Sequence, residues 1–309
     1  MSLLLLFAEP GAISACDSCG CHLPSELAPS DQTWNAGVFV QYTDFGTLRD
    51  EGRRIDNDDD QYLHSLTTQL IVGCRLDDAV SVSLFVPYIS RSFSRPDGAQ
   101  TERGTVAGLG DSVVLASLRL VHREAASSSC QVSALVGLKM PTGDPSQLRF
   151  EEQGGGDQDP AAATGGHDLA LGAGAWDPQL GLSATLRQDR WFATLQGTYG
   201  YNTEGAYEYR FANEISASAA LGYLLYRASP WRLTIQANAD AESKGLDSVS
   251  GQKTDDTANH DVFLGIESSA WWQHSCSADL AIDLPVYEHN SSTQLVPTYR
   301  IRGALSWFF

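Results

Sequence analysis

No stretch of this chain is long and apolar enough to cross a bilayer as a helix, which needs about 20 consecutive apolar residues. The mean hydropathy is -0.20 with 42% hydrophobic residues, values shared with ordinary soluble proteins. That average excludes a helical membrane bundle but not a β-barrel, in which alternation hides the apolar face. Basic residues are scarce too: 20 Lys and Arg stand against 38 Asp and Glu, a formal charge of -18 over 309 residues. Nucleic acid is therefore not expected as a partner, since nothing in this balance attracts phosphates. No Ser-His-Asp constellation is visible, and His64 and Ser65 are neighbours that a strand turns to opposite faces. The chain is not expected to be an enzyme.

Much of the acid lies in turn-like segments such as Asp56, Asp58, Asp59 and Asp60, read as a solvated loop or as a site for cations shared with lipopolysaccharide. At the N-terminus, an apolar run from Leu3 to Phe7 and small residues up to Ala15 read as a signal peptide over 1–15 without a basic n-region. Ile13-Ser14-Ala15-Cys16 also resembles a lipobox. Residues 16–33 then read as a periplasmic cysteine-rich segment. Cys16, Cys19, Cys21 and His22 have the spacing and softness to hold zinc, copper or part of an iron–sulfur centre. A periplasmic redox partner would follow from that reading, and a disulfide or lipid anchor competes with it. Gly20 after the Cys-x-x-Cys excludes haem attachment. Cys74, Cys130 and Cys276 fall on or beside expected strands near the periplasmic side, as plain small side chains or as partners for the N-terminal thiols.

From Trp34 to Phe309 the pattern repeats with period two. In residues 231–242, Trp231, Leu233, Ile235, Ala237, Ala239 and Ala241 take one face, while Arg232, Thr234, Gln236, Asn238, Asp240 and Glu242 take the other. Twelve strands are expected near 34–45, 62–75, 79–92, 109–123, 130–142, 174–187, 191–202, 211–227, 231–243, 260–273, 275–288 and 296–309. Short connections such as Leu76-Asp77-Asp78 and Gln188-Asp189-Arg190 alternate with long polar ones near 46–61, 93–108, 143–173, 203–210 and 244–259. That alternation predicts an all-β fold, a transmembrane antiparallel up-and-down β-barrel of about 12 strands filling 34–309, with both termini periplasmic. The 143–173 loop, with Gly154, Gly155 and Gly156, is read as mobile or folded back toward the pore. Trp191, Trp231, Trp271, Trp272, Tyr223 and Tyr226 suit an interfacial aromatic girdle. The last strand ends on Phe309, which resembles the signal read by the outer-membrane insertion machinery.

Four local motifs extend the reading. They are Gly108-Leu109-Gly110-Asp111, then Gly137-Leu138-Lys139-Met140-Pro141-Thr142-Gly143-Asp144, then Asp177-Pro178-Gln179-Leu180-Gly181-Leu182, and Asp283-Leu284-Pro285-Val286-Tyr287. Together they resemble the family of outer-membrane proteins assigned to the meta-pathway of phenol degradation, a loosely defined group of transporters. The resemblance implies a barrel and the passage of small, often apolar or aromatic molecules. Independently of it, Pro87, Pro141 and Pro285 should mark strand ends or bulges, because proline cannot donate to the ladder.

Parity assigns Arg91, Arg119, Lys139, Arg187, Arg232, Asp240, Glu242, Glu267, Asp279, Asp283, Arg300 and Arg302 to the lumen, where they line a pore or pair across a filled interior. The expectation is a bacterial outer-membrane channel for small solutes, in contact with membrane lipid and lipopolysaccharide. Its rivals are a metal-binding or electron-transfer accessory protein using the cysteine cluster, and a structural or adhesive barrel with a filled lumen.

Overall fold

A computed structural model describes residues 33–152, 162–273 and 275–309. Twelve antiparallel strands form the wall: β1 (Trp34–Asp50), β2 (Tyr62–Arg75), β3 (Val80–Asp97), β4 in two pieces (Gln100–Leu109 and Ser112–Glu124), β5 (Ser128–Met140), β6 (Asp177–Gln188), β7 (Trp191–Gly200), β8 (Glu214–Ala228), β9 (Trp231–Lys244), β10 (Asn259–Trp272), β11 (Cys276–Asn290) and β12 (Gln294–Phe308). Each pairs with its sequence neighbours, and β12 pairs back onto β1 from Asn35↔Phe308 to Arg49↔Gln294, so the ring is closed. Closure removes the open edge that would otherwise template pairing with another chain. The cysteine segment and Gly154–Gly156 lie outside the described residues, as do residues 1–15.

Period-two alternation decides the faces. Outward positions expose Leu70 on β2, Leu180 on β6, Leu195 on β7, Leu221 on β8, Ile266 on β10 and Leu280 on β11. So much solvent-exposed apolar surface, spread around the ring, fits a lipid-facing belt rather than a soluble surface. Trp191, Trp231, Tyr226 and Trp272 are exposed at the end of the ring that carries the termini. Trp271 departs from the girdle reading: it is fully buried and points inward, as its odd position on β10 requires.

The inward face is divided. On β1–β5 it carries an apolar cluster of Phe39, Ile71, Phe85, Val113, Leu115 and Leu135, whereas on β9–β12 it carries carboxylates and guanidiniums. A barrel this narrow is partly filled by side chains. Gly222 on β8 shows how close the filling is, since a Cβ there would collide with the Phe192 ring.

The hairpin of β3 and the first piece of β4 differs from the sequence expectation. Residues 93–108 continue as paired strands from Tyr88↔Leu109 to Asp97↔Gln100, turning at Gly98 with φ +59°. Above a bilayer both faces of a hairpin can be polar, so Thr101, Glu102, Arg103 and Thr105 give no alternation to read. β4 is broken opposite Pro87: its upper piece ends at Leu109↔Tyr88, its lower resumes at Val113↔Phe85, and Gly110 N–H bonds the Pro87 carbonyl at 2.9 Å. Pro285 sits at the register shift between Val262 and Phe263 on β10, and Pro141 directly follows the end of β5. All three prolines thus fall at breaks in the ladder.

Candidate functional site: the lumen and its inward loop

Three of the four motifs converge at the break in β4, where they hold a loop in place. The Asp111 carboxylate accepts from the N–H of Gly143 at 2.9 Å and of Ala173 at 2.8 Å, clamping both stems of the 143–173 connection. Thr142 Oγ1 donates to the Gly110 carbonyl at 2.9 Å and accepts from Ser112 N–H at 2.8 Å. Gly143 and Gly172 are needed here because the stems touch. A Cβ at Gly143 would strike the Leu171 carbonyl, and one at Gly172 would come 2.6 Å from Asp111 Oδ1. From the third motif, Asp177 takes the Lys139 ammonium at 3.0 Å, and both side chains are buried.

The described parts of the loop fold inward. A 3₁₀ turn (Ser146–Leu148) leads to α1 (Arg149–Glu152), and α2 (Gly166–Leu169) follows beyond the undescribed segment. Ala163 and Leu169 pack with Leu48, Leu63, Phe93 and Leu295, inward residues of β1, β2, β3 and β12. Arg91 donates to the carbonyls of Asp168 at 2.7 Å and Ala170 at 2.8 Å, and Arg95 to that of Thr164 at 3.0 Å. These charged donors satisfy loop backbone that would otherwise be stranded in the lumen.

α1 and α2 are joined by His167, whose Nδ1 lies 3.0 Å from Glu151 Oε1 and whose Nε2 lies 3.4 Å from Asp168 Oδ2. Burial alone would lower the His167 pKa, but the charge of Asp168 and the hydrogen bond and charge of Glu151 outweigh it and raise it to about 9. Burial would raise Glu151, yet the hydrogen bond and charge of His167 bring it down to about 2.

The charged wall lies on β9–β12. Arg302 is forked onto Asp283, with Nε to Oδ2 at 2.6 Å and Nη2 to Oδ1 at 2.8 Å, and also reaches Asp240 at 3.4 Å. Arg300 is forked onto Glu242 at 2.7 and 3.1 Å, with its guanidinium 4.0 Å from the centre of the Phe263 ring. Two-point geometry of this kind holds both partners in one orientation. Glu267 accepts from Asn238 Nδ2 at 3.3 Å and Asp279 from Ser277 Oγ at 3.3 Å. Arg232 lies over the Trp271 ring at 5.0 Å. Arg187 is opposite Phe192, and Arg119 is opposite Ser133, well away from the β9–β12 network.

Of the twelve charges picked by parity, Asp240, Glu242, Glu267, Asp279, Asp283, Arg300 and Arg302 thus stand together, Arg91 and Lys139 serve the loop end, and Arg119, Arg187 and Arg232 lie nearer the termini. Asp111, Asp177, Asp261, Trp271 and Glu288 were missed. Asp261 and Trp271 were legible from the parity of β10, and Asp111 from its place in the first motif.

Between the charged wall and the apolar cluster lies a cavity of about 170 Å³, lined by Phe39, Ile71, Asn238, Glu267, Trp271 and Asp279 among others. Nearer the loop end a second space of about 140 Å³ is bounded by α2, Arg91, Lys139 and Lys244. Among the described residues no group of three or more His, Cys, Asp or Glu side chains is placed to hold a metal ion, and Cys74, Cys130 and Cys276 are free thiols.

No protein-family profile matches the chain, and no curated protein matches it in sequence. Among solved structures, an outer membrane channel from Pseudomonas putida F1 is 16% identical with a TM-score of 0.67, over 93% of this chain and 99% of that one. The β domain of the Bordetella autotransporter BrkA is 11% identical with a TM-score of 0.45, over 90% of this chain and 100% of that one, too distant to carry an argument. The resemblance read in the motifs is met at the level of architecture: this chain is an outer-membrane type of β-barrel, twelve strands closed on themselves, and its fold is similar to that of the P. putida channel.

Proposed function

We propose that the protein is a channel of the bacterial outer membrane that lets small solutes diffuse through its lumen. The observation that carries this reading is the contrast of the two faces: an apolar exterior encloses a cavity, polar on one side and apolar on the other, that the described residues leave open. Likeness to a solved outer membrane channel supports it at the level of fold. On this reading the short turns and both termini face the periplasm and the inward loop narrows the external mouth. The apolar cluster on β1–β5 next to a polar wall suits solutes with one apolar and one polar side, including aromatic ones.

Ion pairs across the wall and the loop folded inward favour the rival reading of a structural barrel with a filled interior. Conductance in planar bilayers separates the two. Purified, heat-modifiable protein should give discrete current steps, larger when Asp111→Ala loosens the loop. Inserted protein without steps in either form would overturn the channel and leave the filled barrel. Cys16, Cys19, Cys21 and His22, on which the metal or redox reading rests, lie outside the described residues.

A further inference from the structure

We infer that the lumen cavity is a binding site for a small organic cation, an ammonium or amidinium group carried on a compact apolar or aromatic body. The inference rests on the channel reading only in that the ligand has to reach the lumen. It starts from an imbalance of charge. Seven carboxylates lie on the inward faces of β9–β11: Asp240, Glu242, Asp261, Glu267, Asp279, Asp283 and Glu288. Three guanidiniums answer them, Arg49 to Glu288 at 2.9 Å, Arg300 to Glu242 at 2.7 Å, and Arg302 to Asp283 at 2.6 Å and Asp240 at 3.4 Å. Asp261, Glu267 and Asp279 are left with no basic side chain at ion-pair distance among the described residues. Two of these three, Glu267 and Asp279, line the cavity.

Two unmet acceptors point the same way. Asp279 Oδ1 is buried without a partner among the described residues. Asn238, 7% exposed, spends its amide N–H on Glu267 and leaves Oδ1 buried and unpaired. Both are acceptors lining the same cavity and ask for a donor with more than one N–H. Trp271 Nε1, a donor on the same cavity with no partner among the described residues, is left for an acceptor or a ring on the ligand's body. Register gives the spacing. Glu267 is opposite Ala281 and Asp279 is opposite Ser269, so the two carboxylates are diagonal neighbours on adjacent strands, with Cα atoms roughly 7–8 Å apart. The inferred site places a single nitrogen between the two, donating to each.

The rest of the cavity selects what the nitrogen is attached to. Phe39, Ile71 and the buried Trp271 supply apolar wall, and a volume of about 170 Å³ is close to the engineered cavity of about 150 Å³ that holds benzene. A bare divalent cation fits less well: it asks for six or more oxygens at about 2.3–2.6 Å, and no such group is assembled among the described residues. The Trp271 ring itself is already flanked, by Arg232 at 5.0 Å and by the stacked Phe308 ring at 5.4 Å between centroids, so it serves the ligand as apolar wall.

Isothermal titration of folded full-length protein in detergent micelles tests the site, with benzylammonium as probe, benzyl alcohol as its neutral counterpart and benzoate as its anionic one. Benzylammonium should bind at least tenfold more tightly than benzyl alcohol, and benzoate should not bind. Glu267→Gln with Asp279→Asn should remove that tenfold preference. Heat-modifiable migration of the double variant reports that the barrel is intact, and the single variants serve if the double one fails to fold. Equal binding of ammonium and alcohol, or an unchanged preference in the folded variants, would overturn the inference. Bilayer conductance is read separately: steps without ammonium preference sink the site and keep the channel, and preference without steps does the reverse.

Discussion

Ile266 and Gln236 illustrate how much depends on which way a single side chain faces. Ile266 is 59% exposed on β10, six residues above Trp272 at the aromatic rim, which places it near the middle of an apolar band about 25 Å tall. Ile266→Arg should therefore destabilise the barrel by about 2–4 kcal/mol. Gln236, directly opposite Glu267, faces the cavity, and Gln236→Arg adds a cation beside unanswered carboxylates, so stability should change little. Equilibrium unfolding in lipid vesicles compares the two, and the reverse ranking would mean that the faces are assigned the wrong way round. At this scale parity was a good guide to direction and a poor one to partners. It turned Asp240, Asp283 and Arg302 inward, but nothing in the sequence paired Arg302 with Asp283, since that depends on the register between β11 and β12. Trp271 shows the complementary error: composition suggested a girdle, and alternation overrode it.

Among the elements, the inward loop is the one held by identifiable atoms. Asp111→Ala removes the acceptor for both loop stems, and with hydrogen bonds to charged groups contributing about 1.5–3 kcal/mol each, the described parts of the 143–173 segment should become susceptible to protease while the wall stays folded. Limited proteolysis followed by mass spectrometry reads the outcome; equal protection would place the clamp elsewhere. The His167–Glu151 contact adds a dependence on pH. His167, raised from 6.5 to about 9, contributes fully below about 6.5 and loses its contribution as pH rises through 9. Glu151, lowered from 4.5 to about 2, contributes above about 4.5 and loses it as pH falls through 2. Loop docking should thus be tightest between about pH 4.5 and 6.5 and weaken toward pH 10, and His167→Gln should flatten the alkaline limb in hydrogen exchange of the loop. An alkaline limb unchanged by that substitution would assign it to another group. The sequence marked this loop by its length and glycines and left it either mobile or folded back toward the pore; what it could not name were the groups that hold it inward, because Asp111, Arg91 and Arg95 reach it from other strands.

For the whole molecule, strand number and order were legible because alternation repeats twelve times and short turns alternate with long connections. The apolar inner patch on β1–β5 was not, since Phe39, Ile71 and Phe85 look like any other strand residues until the ring closes and brings them together. Closure depends on the two ends of the chain. The Phe309 carbonyl accepts from the N–H of Thr33 at 3.0 Å and of Trp34 at 2.8 Å, and its own N–H donates to the Trp34 carbonyl at 2.9 Å, while its ring, 64% exposed, lies free at the rim. Backbone and ring can therefore be tested apart. Deleting Phe309 removes three hydrogen bonds worth about 1 kcal/mol each together with the terminal aromatic, whereas Phe309→Ser keeps the bonds and loses only the ring. If the ring is the insertion signal, both changes should lower the yield of heat-modifiable, membrane-integrated protein several-fold relative to a comparable change at the inward Ser306. If deletion alone lowers it, closure of β12 on β1 is the limiting step and the ring carries no signal. Equal yields for all three would show that neither the terminal bonds nor the terminal aromatic limits assembly.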